Sequence, residues 1–217
     1  MGQRNENNGT RERLLNEAEI QFAQRGYRDV SIRDITNAVH CNLAAVNYHF
    51  GNKKNLYLEV FRTRWMPRAR RVQESFKESY AALAPSSLSG VVQALAQAFL
   101  EGPLTDEERV RHAQLMAREM AQPSDAFEVV ADQVIRPFFE ELADKLRPFL
   151  PAELGHEGLM LNVLSIFAQV LYFNFARVTV SKIVGREYDR EFRARLLDQI
   201  INFSLRGLGV EGREEGR

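Results

Sequence analysis

An all-α fold in two parts, a small N-terminal helical head and a larger helical body, is what this sequence predicts, and three observations carry the prediction. Apolar residues recur at helical spacing along nearly the whole chain, no stretch alternates with period two, and no strand-flanked Asn-Gly or Asp-Gly pair marks a hairpin. Helix start and stop signals punctuate that pattern at short intervals through the first 60 residues and at longer ones afterwards. The charge is divided too: residues 1–71 hold 13 Lys/Arg against 7 Asp/Glu, a net +6, while residues 72–217 hold 16 against 22, a net −6. A chain of 217 residues with 45% hydrophobic content can bury a core. The division predicts residues 1–9 as a flexible arm, 10–56 as the head, 57–208 as the body and 209–217 as a disordered tail.

Thr10 is positioned to cap a first helix, with Leu14, Ala18 and Phe22 at i, i+4 and i+8 on its inner face. Gly26 stands where glycine ends helices. Ser31 caps a second helix and Asp34, three residues on, completes a capping-box pair, with Ile32, Ile35 and Val39 on the buried side. A third, short helix is expected from about Asn42 to His49, broken by Phe50-Gly51-Asn52. Lys53 opens a long fourth helix, in which Pro67 removes an N–H and predicts a kink or restart near Trp65-Met66-Pro67. Leu83 to Gly90 reads as a loop. Thr105 and Glu108 form a second capping box for a helix to about Ala121, and Pro123-Ser124 turns the chain into a helix to about Arg147, strained at Pro137. The last two helices are expected over 157–184 and 189–207.

The chemistry concentrates in Ser31 to Leu58. Two helices too short to stand alone, joined by a tight turn, have the form of a DNA-reading helix-turn-helix. Its second helix would lie in the major groove, the groove that admits a helix and shows a distinct pattern for each base pair. Asn42, Leu43, Ala44, Val46, Asn47 and Tyr48 are its candidate outward face, and Asn can pair with adenine while Ala or Val can meet a thymine methyl. Ser31, at the start of the preceding helix, is a further candidate contact. His49 either reaches phosphate or packs. Lys53 and Lys54 begin the next helix, where ammonium groups and free backbone N–H groups both favour phosphate.

These residues resemble the TetR family of bacterial transcriptional regulators. The matching pieces are Phe22-Ala23-x-x-Gly26-Tyr27, Ser31-Ile32-x-Asp34-Ile35, and above all Asn42-Leu-Ala-Ala-Val-Asn-Tyr-His-Phe50 followed by Lys53 and Leu56-Tyr57. The resemblance covers about residues 10–60. It implies an all-helical homodimer that binds a near-palindromic double-stranded DNA operator and is released when a small-molecule effector enters the C-terminal domain. By that match Tyr48 and Lys54 are phosphate contacts, with Lys53 a further candidate. One departure stands out: His40 occupies the turn position where the family has glycine, and His tolerates positive φ better than most non-glycine residues. Further on, Arg118-Glu119-Met120, Pro123-Ser124 and Val134-Ile135-Arg136-Pro137 are similar to the CecR-like subgroup.

The body is rich in aromatic and thioether side chains. Phe99, Met116, Met120, Phe127, Phe139, Phe167 and Tyr172 are candidates to line an effector pocket, with core packing the competing role, and Asn174 and Arg177 are candidate polar anchors. In the last helix Phe192, Leu196, Ile200 and Ser204 form one apolar stripe that Leu197 and Ile201 widen, and these six are the expected dimer interface. The apolar run Leu159 to Val180 contains Asn162, Gln169, Asn174 and Arg177 and is read as a buried helix, not a membrane span. No secretory signal is read at the N-terminus, and Cys41, the single cysteine, suits a reducing cytoplasm as a small apolar residue. His40, His49, His112 and His156 lack ligand spacing, so neither a metal nor a cofactor is expected, and no phosphate loop or nucleophile motif points to an enzyme. Two alternatives stay open at this level: an activator of the same fold, and a helical enzyme or adaptor with a degenerate helix-turn-helix.

Overall fold

The computed structural model describes residues 2–83 and 87–209, and the expected tail from residue 210 on lies outside them. Among the described residues the regular elements are all helical. The order is α1 (Gly2–Asp29), α2 (Ile32–Ala38), α3 (Leu43–Phe50), α4 (Lys53–Val60), a π-helical turn (Phe61–Trp65), α5 (Met66–Ala82), α6 (Leu88–Leu100), α7 (Asp106–Ala121) and α8 (Asp125–Val130). A second π-turn (Ala131–Ile135), α9 (Arg136–Leu146), a 3₁₀ turn (Arg147–Phe149), α10 (His156–Phe175), α11 (Arg177–Val184) and α12 (Arg190–Gly207) follow.

On α1 the inner face is the one that the periodicity predicts. Leu14, Ala18 and Phe22 are fully buried on α1. Gly26 interrupts that helix with φ 85°, a conformation that only glycine adopts without strain. Two expectations at the N-terminus are corrected: α1 begins at Gly2, so Thr10 lies inside it instead of capping it, and the span read as an arm is helical. Both capping boxes form, Ser31 with Asp34 and Thr105 with Glu108.

The chain divides into two units. One comprises the stretch up to Arg70 together with Leu104–Val134, the other Arg71–Pro103 together with the stretch from Ile135 on. The head is therefore larger than residues 10–56, because α7 and α8 belong with it. Its core packs α1 against α4 and α7. Phe22 meets Tyr57 edge-on at 4.9 Å between ring centroids, and Trp65 stacks on His112 at 4.3 Å. Within this core Glu19 is completely buried and paired with Arg68; Arg111 Nη1 lies 3.6 Å from its other oxygen. Glu108 in turn stands 3.5 Å from Arg68 Nε, so the charge of the fully buried Glu19 is compensated by cations that are themselves only partly exposed.

Pro67 is accommodated by a wider turn, not by a break. The five residues before Met66 form the π-turn, Met66 N–H donates to Phe61 O five residues back, and Pro67 becomes the second residue of α5. Pro137 has the same setting, second in α9 directly after a π-turn. In both places the widening absorbs the proline's missing donor and ring bulk one turn ahead of it.

In the second unit α6 is the central helix, in contact with α9, α10 and α12. Phe139 and Phe99 flank Phe167 at 4.8 and 5.1 Å, and Phe76 meets Phe138 at 5.6 Å. The helix expected over 157–184 is two helices, interrupted at Ala176. The stripe Phe192, Leu196, Ile200 and Ser204 faces into this unit, and all four are buried there. Those four are consequently spent on the chain's own core and do not face outward as an interface would.

Candidate nucleic-acid interface

The helix-turn-helix is built from its caps. Asp34 N–H donates to Ser31 Oγ at 3.1 Å while Ser31 N–H donates to Asp34 Oδ2 at 2.8 Å, which fixes where α2 starts. Those bonds hold the Asp34 carboxyl below its ordinary range. The turn after α2 passes through His40 at φ 52°, the left-handed position where glycine was expected, and Cys41 N–H closes it onto Thr36 O at 3.0 Å. Asn42 Oδ1 then accepts from Ala44 N–H at 2.9 Å and opens α3. Gly51 at φ 80° ends α3, and Asn52 Oδ1 accepts from Asn55 N–H to open α4.

On α3 the two sides separate cleanly. Val46 and Phe50, four residues apart, are buried against the rest of the head, and Val46 is 0% exposed. Val46 is thus removed from the expected DNA-facing set, since the same spacing that makes it a groove contact from one side makes it core from the other. Asn42, Leu43, Ala44 and Asn47 are exposed, and Tyr48 is 74% exposed. His49 is half-buried, its ring edge-on to Tyr48 at 5.0 Å, and burial together with Arg11 pushes its pKa down. Lys53 lies over the Tyr27 ring at 4.4 Å, with its pKa lowered by burial. Lys54 is exposed and paired with Asp125 at the start of α8. Cys41 is half-buried and its thiol is pushed up by that burial, in keeping with a packing role.

What the sequence did not reveal is how α7 and α8 hold the head. Arg118 Nε donates to Ala23 O at 2.9 Å, and its Nη2 donates to Gln24 O, so this guanidinium caps the last carbonyls of α1 before Gly26. A Cβ at Gly26 would stand 3.1 Å from Arg118 Nη1. The next residue, Glu119, is buried and accepts four hydrogen bonds: from Tyr57 Oη at 2.6 Å, Ser124 N–H at 3.0 Å, Ser124 Oγ at 2.8 Å and Phe127 N–H at 3.1 Å. Burial and the Glu119 carboxylate raise the Tyr57 pKa strongly. The Arg-Glu pair followed by Pro-Ser had been visible only as a subgroup resemblance; its function is to fasten α1, α4 and α8 together.

The residues expected around an effector separate. Phe99, Phe139 and Phe167 cluster in the second unit, where Asn174 is buried and Tyr172 exposed. Arg177 Nη2 donates to Leu100 O at 3.1 Å and to Asn174 Oδ1 at 3.3 Å, and its guanidinium stands over the Tyr188 ring. Met116, Met120 and Phe127 belong to the head's unit: Met116 is buried, Phe127 half-buried and Met120 exposed. A void of about 10 Å³ lies inside the second unit's core between Val91, Leu95, Leu142, Val163 and their neighbours. Two open clefts on the same unit, one beside Tyr80, Pro137 and Phe149 and one beside Arg177, Ser181 and Tyr188, measure about 660 and 610 Å³. No His, Cys, Asp and Glu group suited to a metal occurs among the described residues.

Known proteins share this arrangement. The family described as "Bacterial regulatory proteins, tetR family" matches residues 14–60, and the family "HTH-type transcriptional dual regulator CecR, C-terminal domain" matches residues 86–208. The dual regulator CecR of Shigella flexneri is 21% identical over 198 residues, spanning 88% of this chain and 87% of its own. A transcriptional regulator from Rhodococcus sp. Rha1 superimposes with a TM-score of 0.61 at 18% identity, covering 91% of this chain and 96% of its own. A regulator from Saccharomonospora viridis, solved with choline, gives 0.57 at 20% identity, covering 89% and 96%.

The two family matches and the curated relative place the capped helix-turn-helix and helical body in a DNA-binding transcriptional regulator of the TetR type, a class of regulators and not of enzymes. Within that class the chain belongs to the CecR family, whose C-terminal domain accounts for more than half its length.

Proposed function

We propose that the protein is a homodimeric repressor that binds a near-palindromic operator in the cytoplasm and lets go when a small molecule occupies its second unit. The observation that carries the DNA reading is the split of α3, with Val46 and Phe50 inward and Asn47 and Tyr48 outward, next to Lys53 and Lys54 at the start of α4. Asn47 reads a base; Tyr48 and Lys54 hold phosphates.

The dimer reading rests on apolar surface that the chain leaves uncovered. α10 is long and apolar enough, by length and composition, to cross a membrane, and only 28% of its most apolar window is buried in the chain, so it is not the buried helix that its sequence led one to expect. Leu161, Leu164, Tyr172 and Phe175 are exposed along it at spacings of three, eight and three, which keep to one face. On α12 the half-exposed Leu197, Ile201 and Leu205, continued by Leu208 just past its end, form a second stripe beside the one already buried. A second copy covering these stripes makes a four-helix interface and sets two α3 helices against one DNA duplex.

The effector reading draws on the aromatic cluster around Phe167 and on the choline found with the Saccharomonospora viridis relative. The void beside these rings measures about 10 Å³, so a ligand seated among them parts the helices of this unit, a change of shape that a switch requires. The reading is tested by an electrophoretic shift with duplex DNA from beside the protein's own coding sequence. A retarded band that disappears at Tyr48→Ala supports it; wild-type protein that retards no DNA at any salt overturns it.

A further inference from the structure

Lys54 is the cation that the proposed function assigns to a DNA phosphate, and the structure shows it already engaged. Its ammonium pairs with Asp125, the first residue of α8, and both side chains are more than half exposed. Each member shifts the other in the sense of a real ion pair: the Lys54 pKa is raised chiefly by Asp125, and the Asp125 pKa is lowered chiefly by Lys54.

The position of Asp125 is not accidental to a loose loop. Ser124 Oγ accepts from Ala126 N–H at 3.1 Å and caps α8, and Glu119 accepts from Ser124 and from Phe127 N–H while also receiving Tyr57 Oη from α4. One buried carboxylate therefore sets the start of α8 against the helix that carries Lys54. Asp125 is one step past the cap and Lys54 is three residues before Tyr57, so the pair is held from both sides.

We propose that Asp125 is a built-in competitor for DNA phosphate at Lys54, kept in place by Glu119, so that any binding to duplex DNA must first displace it. This rests on the reading of Lys54 as a phosphate contact. A competitor of this kind leaves the base-reading face of α3 untouched and subtracts only from the sequence-independent part of binding. It thereby lowers attachment to every duplex, random and operator alike, by the same factor.

The test uses four full-length proteins, wild type, Lys54→Ala, Asp125→Asn and Lys54→Ala/Asp125→Asn, with Glu128→Gln on the same helix as a control for the loss of one negative charge. The probe is a random-sequence duplex, read by fluorescence anisotropy over a salt series. Asp125→Asn is expected to tighten binding about threefold to fivefold, the scale of an exposed ion pair. It should also steepen the slope of log K against log salt by up to about one unit, because Lys54 then releases a counterion with no acid left behind. In the Lys54→Ala background the same change should do no more than Glu128→Gln does. Weaker binding by Asp125→Asn, or an equal gain with and without Lys54, overturns the proposal while leaving the DNA reading intact. If Lys54→Ala binds as wild type does, the phosphate contact and the competitor fall together.

Discussion

Tyr57 Oη donates a 2.6 Å hydrogen bond to Glu119 Oε1 across sixty-two residues of chain. It joins the helix after the DNA-reading helix to the corner between α7 and α8. Removing the hydroxyl leaves a buried carboxylate oxygen without that donor. Tyr57→Phe is expected to cost about 1–3 kcal/mol in urea unfolding. A variant within experimental error of wild type would show that Glu119 is satisfied by Ser124 and Phe127 alone.

A second expectation is a dependence on pH. His112 stacks on Trp65 with its Nδ1 shielded from solvent, and burial, the largest cause, pushes its pKa down to about 3. In the unfolded chain it titrates near 6.5. The unfolded state therefore binds the proton first as pH falls, so the stability due to the neutral ring is fully present above about 6.5 and is lost below it. The loss reaches up to about 1.4 kcal/mol per pH unit between roughly 6 and 4. Chemical denaturation at several pH values should show that slope in wild type, and a flatter one in His112→Gln.

The outward face of α3 and the start of α4 carry the third. Tyr48→Ala and Lys54→Ala should weaken binding to every duplex, with Lys54→Ala also reducing the salt slope by about one unit. Asn47→Ala should instead relax the preference at one base pair, costing about 1–3 kcal/mol on the operator alone. A uniform loss from Asn47→Ala would reassign it to the backbone.

Assembly gives a paired prediction. Leu164→Asp and Ile201→Asp, placed on the uncovered stripes, should yield folded monomers by light scattering that no longer hold an operator. Ile200 is 0% exposed, so Ile200→Asp should instead unfold the second unit, at a cost of several kcal/mol for burying a charge. Dimers that survive both stripe substitutions would move the interface elsewhere.

How much of this was legible in the sequence follows from what each signal measures. Caps are local chemistry, so Ser31 and Thr105 could be read directly, whereas Thr10 falls inside α1 and Asn42, read as the start of α3, is its cap. His40 could be assigned positive φ because it stands where the resembled family has glycine. Faces are ambiguous by nature. An exposed and a buried apolar residue look alike in sequence, which is how Val46 was assigned to the groove and Ile200 to an interface. Pro67 announced a disturbance, but a π-turn and a broken helix remove the same N–H. The Arg118-Glu119 pair was out of reach, because its partners at Ala23, Gln24 and Tyr57 are adjacent only after folding.

The contact of Arg118 with the end of α1 has a consequence for how such a sequence can drift. Gly26 does two things at once: it adopts φ 85°, and it leaves the space into which the guanidinium lies. An alanine there carries a backbone strain of about 1–3 kcal/mol and also pushes on the group that caps Ala23 and Gln24. Positions 26 and 118 are thus one mutational unit although ninety-two residues separate them. In a library randomised at both and selected for folded protein, substitutions at 118 should be recovered only where 26 stays glycine, and non-glycine residues at 26 should be rare whatever stands at 118. The head's tolerance to change is set, at this point, by a residue encoded in the middle of the chain.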